Sequence, residues 1–276
     1  MITSLTNAVS IKRVINNQLL DSEDVLAVEE PLEIQLLYAN DNNRQAKSIS
    51  VTMRTPGNDE ELAAGFLFTE GIINNHNQVK GIDVSSLREN IVVVSLKEQV
   101  IPDLQKTARN FYTTSSCGVC GKASIDAIRT VSVYNNKEDD ICLKAAIFYK
   151  LQDQLKKQQL IFQSTGGLHA AALFNLEGNL IRLREDVGRH NALDKLIGIA
   201  LLNDELPLNT SILLLSGRAS FELLQKATMS GIKIVAAVGA PSSLAVQLAK
   251  EGGITLIGFL RNEKFNIYSG TQRVNL

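Results

Sequence analysis

The chain has 276 residues, of which 45% are hydrophobic and 21% charged, and its formal net charge is -1. That length carries a soft prior of about two domains, and near-neutrality removes any general attraction to nucleic acid or anionic membrane. Anion binding must therefore rest on a local cluster of groups.

The N-terminal stretch MITSLTNAVSIKRVINNQ contains no apolar run of signal-peptide length, and no later segment approaches a membrane span. Three cysteines, an odd number with no secretory signal, argue against a disulfide framework. A cytoplasmic protein with reduced thiols, without membrane or nucleic-acid partners, is expected. From Leu32 to Met53 the pattern reads as two strands joined by an Asn/Asp turn. TPGNDEELAAGFLFTEGII then reads as a helix, with Asn58 as cap, Glu60 and Glu61 in the first turn and Gly71 at the stop. Leu62, Ala63, Phe66 and Leu67 share one face, which predicts that this helix covers the sheet. NIVVVSLK is a further strand.

SIDAIRTVSVY and KAAIFYKLQDQLKKQQL are helical in composition, although the first could run into a strand. From residue 161 the alternation becomes regular. LHAAALF and NLIRLRED read as strands joined through Glu177-Gly178, followed by the helix VGRHNALDKLIGIALLN. Then come strand SILLLSG, helix SFELLQKATMSG, strand IKIVAAVG, helix SSLAVQLAKEGG and strand ITLIGFLR, with KFNIYSG as an antiparallel edge strand. Near-continuous apolar strands between helices imply a sheet covered on both faces. The expected fold class is α/β: a three-layer α/β/α C-terminal domain with a smaller α+β N-terminal domain. The expected boundaries are 1–110 for the small domain, 111–160 for a cysteine loop and helical connection, and 161–276 for the α/β/α core.

Ligands of open α/β sheets bind at the carboxyl ends of the strands. The loops expected there are EDVGRHNALDK (185–195), SGRASFE (216–222), GAPSSLA (239–245) and LRNEK (260–264). Three of them lead into helices through Gly, Ser or Asp, and a helix start with free N–H groups suits phosphate. Arg189, Arg218, Arg261 and Lys264 add positive charge to that side. For any one loop alone ordinary capping is the favoured reading; four on one edge favour a large polyanionic ligand. None is a phosphate-loop or dinucleotide fingerprint. His169 sits among small residues on an apolar strand and reads as a core histidine or a functional one. His190, in a helix first turn beside Arg189, is open in the same way, and the helix N-terminus disfavours its imidazolium. The glycine pair Gly166-Gly167 would let backbone approach a ligand closely.

Within TTSSCGVCGKASID, Cys117 and Cys120 form a Cys-x-x-Cys pair. Metal clips, disulfide switches and sulfur-handling nucleophiles all use that spacing. A thiol–disulfide oxidoreductase normally has an aromatic residue before the first cysteine, where this chain has Ser115 and Ser116. A structural zinc site needs four ligands, and only Cys142 and the distant His169 remain as candidates. No histidine carries the H-x-E signature of zinc deaminases. No permanently bound metal is expected. Cys142, between NNKEDD and LKAAIF, suits a half-buried side chain.

The segments SSCGVCG, STGGLHAAALF, REDVGRHNALDKLIG, SGRASFELLQKA, GAPSSLAVQLA and TLIGFLR...FNIYSG resemble, in order and spacing, the FdhD family of formate dehydrogenase accessory proteins. MRTPGNDEELAAGFLFTEGII resembles it too, so the likeness covers nearly the whole chain. The resemblance implies a sulfur carrier that takes persulfide sulfur from a cysteine desulfurase. It implies delivery to the molybdenum bis(molybdopterin guanine dinucleotide) cofactor, bound as a client, for formate dehydrogenase. A cytidine-deaminase-like C-terminal domain and a homodimer are implied as well. By the same resemblance Cys117 holds the persulfide with Cys120 as its partner. Phe259, Leu260, Arg261, Asn262, Glu263 and Lys264 map onto the cofactor segment, and Arg218 and His190 are expected to join them. Many members are glycine-rich there with a closing arginine, whereas this chain has Asn262, Glu263 and Lys264, and lysine offers a point charge where arginine offers a fork. The chemistry agrees: Ser, Thr and Gly around Cys117 favour exposure, and a helix through KASIDAIR with Lys122 near its start would lower the thiol pKa.

Overall fold

The structure is a computed structural model that describes residues 5–40, 43–84, 89–102, 104, 134 and 139–276. The quoted cysteine segment, with Cys117, Cys120 and Lys122, and the SIDAIRTVSV stretch lie outside the described residues.

The chain opens with an antiparallel ribbon, β1 (Thr6–Ile15) and β2 (Gln18–Ala27), turned by Asn16 and Asn17 with φ of 51° and 63°. No sequence pattern marks it, since neither face of the ribbon is buried and no alternation results. β3 (Glu30–Asn40) and β4 (Asn43–Arg54) are the expected hairpin. They join β5 (Val79–Val84) and β6 (Ile91–Leu96) in a four-stranded sheet of order β4-β3-β6-β5, with β3 and β6 parallel. β5, short and polar, was not anticipated.

α1 (Asp59–Thr69) ends as expected: Gly71 has φ 73° and Ile72 N–H donates to Leu67 O, the left-handed C-terminal stop. Its start differs. Asn58 is itself left-handed and makes no side-chain cap; its carbonyl accepts from Leu62 N–H instead. Nor is the burial one-sided. Leu62, Ala63 and Leu67 are buried, but so are Ala64, Phe68 and Thr69, while Phe66 is only half-buried. The reason is a second helix, α4 (Arg189–Leu202), packed along the far side of α1. Two glycines make the contact. A Cβ on Gly65 would lie 1.9 Å from Asp194 O, and one on Gly198 would lie 1.8 Å from Glu61 O. The two helices meet backbone to backbone.

α2 (Ala145–Gln158) and α3 (Leu160–Thr165) replace the single helix expected over 144–160, the break falling at Gln159 with φ -80° and ψ 67°. The remaining elements follow the expected order. They are β8 (His169–Asn175), β9 (Leu180–Asp186), β10 (Ser211–Leu215), α5 (Phe221–Met229), β11 (Ile234–Ala237), α6 (Ser243–Glu251), β12 (Thr255–Arg261) and β13 (Lys264–Ser269). They build a six-stranded sheet of order β13-β12-β11-β10-β8-β9, in which β10, β11 and β12 are parallel and β13 is an antiparallel edge. A small parallel pair, β7 (Leu143–Lys144) with β14 (Val274–Asn275), ties the C-terminus back. There Asp139 bridges Arg273 and Lys233, and the guanidinium of Arg273 holds the Asp139 carboxyl far below its ordinary range.

Alternate strand residues face opposite cores. Ala171, Leu173, Leu213, Leu215, Val235 and Leu256 pack with α4, α5 and α6. Ala172, Phe174, Ile212, Leu214, Ile234 and Ile257 pack with Phe148, Leu151 and Leu155 of α2. The sheet is covered on both faces, as its near-continuous apolar strands require. The first of these clusters continues through α1 to Leu32, Ile34, Val92 and Val94, so the small sheet and the large one share one core. No helix among the described residues is long and apolar enough to cross a membrane.

Candidate functional site

The four loops expected at one edge of the large sheet are there. β9 is parallel to β10 through the intervening antiparallel β8, so the ends of β9, β10, β11 and β12 share an edge with the start of β8. The loops lie directly on one another. Gly239 N–H donates to Gly217 O at 2.8 Å, and Phe259 N–H donates to Gly239 O at 3.1 Å. Any Cβ on Gly239 would come within 2.9 Å of Gly217 O and 3.0 Å of Arg218 Cα, so this stacking needs glycine.

Two clefts flank the edge. The smaller, about 250 Å³, lies among the starts of α4, α5 and α6 and is lined by Arg189, Arg218, Ser220, Pro241 and Ser242. Ser242 Oγ accepts from Ala245 N–H and caps α6, but Ser220 and Gly188 make no side-chain cap for α5 and α4. The larger, about 340 Å³, opens toward α2 and α3 and is lined by Gln152, Lys156, Phe162, His169, Ser216 and Val238. His169 stands between them, its ring against Gly217, where a Cβ would be 3.4 Å from Nδ1. Burial, then the charges of Arg189 and His190, push His169 below its ordinary pKa, with Asp186 opposing them.

Among the described residues, several buried polar atoms around the smaller cleft have no hydrogen-bond partner: Arg189 Nε, His190 Nε2 and Ser220 Oγ. The Glu222 carboxyl is held down to about 2 by His190 beside it, against its own burial, with Ser220 contributing. Buried polar groups of native proteins are almost always paired. Orphans gathered at a cleft of helix starts and arginines suit an anionic ligand. Among the described residues no group of three or more His, Cys, Asp or Glu is placed to hold a metal.

The loop 185–195 serves two ends, and the sequence foresaw one. Asp186, Asn191, Asp194 and Lys195 turn inward. Lys195 Nζ pairs with Asp186 Oδ2 at 2.7 Å and donates to Thr55 O, while Asp186 Oδ2 accepts from Thr55 N–H. Asn191 donates to Met53 O at 2.7 Å. Asp194 accepts from Thr69 Oγ1 at 2.8 Å and pairs with Lys226 at 2.9 Å. Burial pulls Lys226 down, but Asp194 and Glu70 outweigh it and hold the ammonium above its ordinary value. These residues fasten the large sheet to the small one. Of this loop only Arg189 lines the cleft, with the buried His190 next to it in the first turn of α4.

The sequence-predicted site residues are distributed as follows. Arg218 is exposed at the rim of the smaller cleft, and His190 is buried behind it at 4% exposure. Phe259 is left-handed, with φ 54°, and exposed. Leu260 is fully buried in the core against α2, so it can offer a ligand backbone only. Arg261 Nη1 donates to Val238 O at 2.7 Å and Leu260 O at 2.8 Å, next to the larger cleft. Asn262 and Glu263 form the two-residue turn of the β12–β13 hairpin, closed by the Arg261–Lys264 pair, and all of them are exposed. Cys142 is exposed, not half-buried, at the start of β7. Ser220 and Glu222 lie in the expected loop 216–222 but were not singled out as site residues. The signal available was a Ser-x-Glu opening a helix, which looks like ordinary capping until the cleft is seen.

A mixed α/β protein with an anion-suited edge is thereby defined, and comparison with known proteins places it more narrowly. The model of the FdhD/NarQ family matches residues 27–275, and the chain belongs to that family. It is 51% identical over 259 residues to a protein of Mycolicibacterium paratuberculosis named "Sulfur carrier protein FdhD", covering 91% of this chain and 92% of the relative. It is 38% identical over 262 residues to a protein of the same name from Saccharolobus solfataricus, covering 95% of each. A crystal structure described as that of a candidate formate dehydrogenase accessory protein from Desulfotalea psychrophila superposes with a TM-score of 0.73. That protein is 25% identical, and the match spans 99% of this chain and all of the other. Most of the N-terminal ribbon precedes the family match.

Proposed function

We propose that this protein is a sulfur carrier serving formate dehydrogenase, with Cys117 as the carrying residue. The observation that carries the reading is its likeness, along more than nine-tenths of the chain, to proteins named sulfur carriers. The Cys117-Gly118-Val119-Cys120 pair supplies the chemistry in sequence. In the loading step the Cys117 thiolate attacks the outer sulfur of a persulfide on a cysteine desulfurase. A new sulfur–sulfur bond forms at Cys117, the donor's bond breaks, and the donor leaves as thiolate. The client is the molybdenum bis(molybdopterin guanine dinucleotide) cofactor on its way to formate dehydrogenase. Its diphosphates suit the helix starts and arginines of the smaller cleft, and the exposed Phe259–Lys264 hairpin borders the larger one. We read the sheet with helices on both faces as cytidine-deaminase-like, and the working form as a cytoplasmic homodimer.

The test is peptide mass mapping after incubation with cysteine and a desulfurase. A gain of about 32 Da, one sulfur atom, is expected on Cys117. Cys117→Ser should carry no labile sulfur, while Cys120→Ser loads it but delivers it poorly to formate dehydrogenase. A gain on Cys120 that persists in Cys117→Ser would exchange the two roles. No gain on the wild-type protein would refute the carrier reading.

A further inference from the structure

The N-terminal ribbon has no part in the sulfur chemistry, and most of it precedes the family match. β1 and β2 pair with each other and with no other strand among the described residues. No residue of either strand is buried. The ribbon is held at its base, where Val28 N–H donates to Leu5 O at 3.0 Å, β2 lies against α3, and Ala27 faces Gly167. It extends as an arm about 33 Å long, each strand having 10 residues. A two-stranded hairpin of this kind is only marginally stable when water surrounds it.

The arm has two unlike parts. Its middle carries Lys12, Arg13, Asp21, Glu23 and Asp24, with Lys12 paired to Asp21 at 2.5 Å. Such charges keep an exposed strand from pairing at random. From Val14 to Leu20 there is no charge at all. Asn16 and Asn17, both left-handed, make the two-residue turn that matches strand twist, so the tip is a well-formed hairpin. Around that turn Val14, Ile15, Leu19 and Leu20 are 46–66% exposed. Val14 and Leu19 stand directly opposite and share one face. Ile15, opposite Gln18, and Leu20, opposite Arg13, share the other. A tip that rested on a flat surface would need one apolar face. This one has two, which suits a partner that encloses it.

Size and charge decide between partners. A ribbon about 10 Å wide and 33 Å long offers about 600 Å² over its two faces. A single arm in an unrelated protein falls short of the about 800 Å² per side of a stable interface. Two copies exchanging arms about a two-fold axis reach about 1,200 Å² per side, because each gives one arm and receives another. A lipid surface suits the arm less well. The ribbon has no aromatic residue, and Lys12 and Arg13 are outnumbered by Asp21, Glu23 and Asp24.

We propose that the ribbon is a dimerisation arm, its tip at Val14, Ile15, Leu19 and Leu20 enclosed by a second copy of this chain, each copy clasping the other. This rests on the reading above that the working form is a homodimer, and adds which element joins the copies.

The test is sedimentation equilibrium of the full chain across about 1–100 μM. The wild type should be a dimer. Val14→Asp combined with Leu19→Asp should raise its dissociation constant by about a hundredfold or more, since both tips would then bury carboxylates. Far-ultraviolet circular dichroism should be unchanged, because both positions are exposed in the single chain. A second measurement leaves the apolar tip intact: benzoylphenylalanine in place of the exposed Gln18, irradiated, should join two chains covalently. A dimer that survives both aspartates, or a tip that crosslinks only within its own chain, overturns the arm and leaves the homodimer standing. A wild type that is monomeric throughout overturns both. If that monomer floats with phosphatidylglycerol vesicles and the double variant does not, the tip belongs to a lipid surface instead.

Discussion

Replacing Gly65 by alanine tests the helix crossing on which the two sheets depend. In an isolated helix the change would stabilise, because alanine is preferred to glycine in a helix interior by about 1 kcal/mol. The tertiary contact reverses the sign. The new methyl would lie 1.9 Å from Asp194 O, 2.7 Å from Asp194 C and 2.9 Å from Gly198 N. All three are backbone atoms, so no side-chain rotation relieves the clash, and reaching even 3.0 Å requires α1 and α4 to part by about 1 Å. Overpacking of this kind costs about 1–3 kcal/mol, occasionally more. Separation would also strain the Asp194–Lys226 and Asp194–Thr69 contacts, which span the same interface. With the clash at the upper end of that range, less the helical gain, the expected net loss is about 2 kcal/mol. Thermal unfolding followed by circular dichroism should show the midpoint fall by about 5 °C or more. Gly81→Ala is the control, since a Cβ there meets nothing within 4 Å. It should shift stability by no more than about 0.5 kcal/mol. If Gly65→Ala is as stable as the wild type, the backbone-to-backbone crossing is wrong.

Lys226→Met leaves Asp194 buried with Thr69 but without its cation, and stability at neutral pH should fall by about 3–5 kcal/mol. Burial already pushes the Asp194 carboxyl upward and Lys226 opposes it. Without the lysine, the raised acid disfavours the folded state as pH climbs above the ordinary carboxylate pKa. Urea unfolding should therefore show the deficit growing from about pH 4 toward neutrality, and a deficit independent of pH would refute the assignment. Cys142→Ser should leave sulfur loading and formate dehydrogenase maturation unchanged, because Cys142 is exposed at the start of β7, away from the edge loops. Loss of loading with intact folding would return Cys142 to the sulfur path.

What the sequence determined by itself is the part of the fold written in local patterns. From residue 161 onward, short near-continuous apolar runs alternate with longer helical stretches, and the main elements were legible from the length of each run and the turn residues between them. The shared edge was legible too, since parallel strands joined through helices must place their following loops on one side. The ribbon β1–β2 and the short β5 were not, because a strand with little burial has no alternation to betray it. Only the tertiary structure decided the rest. It brought Gly65 to Gly198, Thr55 to Lys195 and Thr69 to Lys226, pairs more than a hundred residues apart. It thereby turned half of a presumed ligand loop into the fastening between two sheets. It also left buried atoms of His190, Arg189 and Ser220 without a partner among the described residues, close to one cleft. A glycine that admits a helix and a glycine that merely ends one look the same in sequence. So do a histidine in the core and a histidine awaiting a ligand, because what distinguishes them is the atom that the distant chain brings, or fails to bring, within hydrogen-bonding distance.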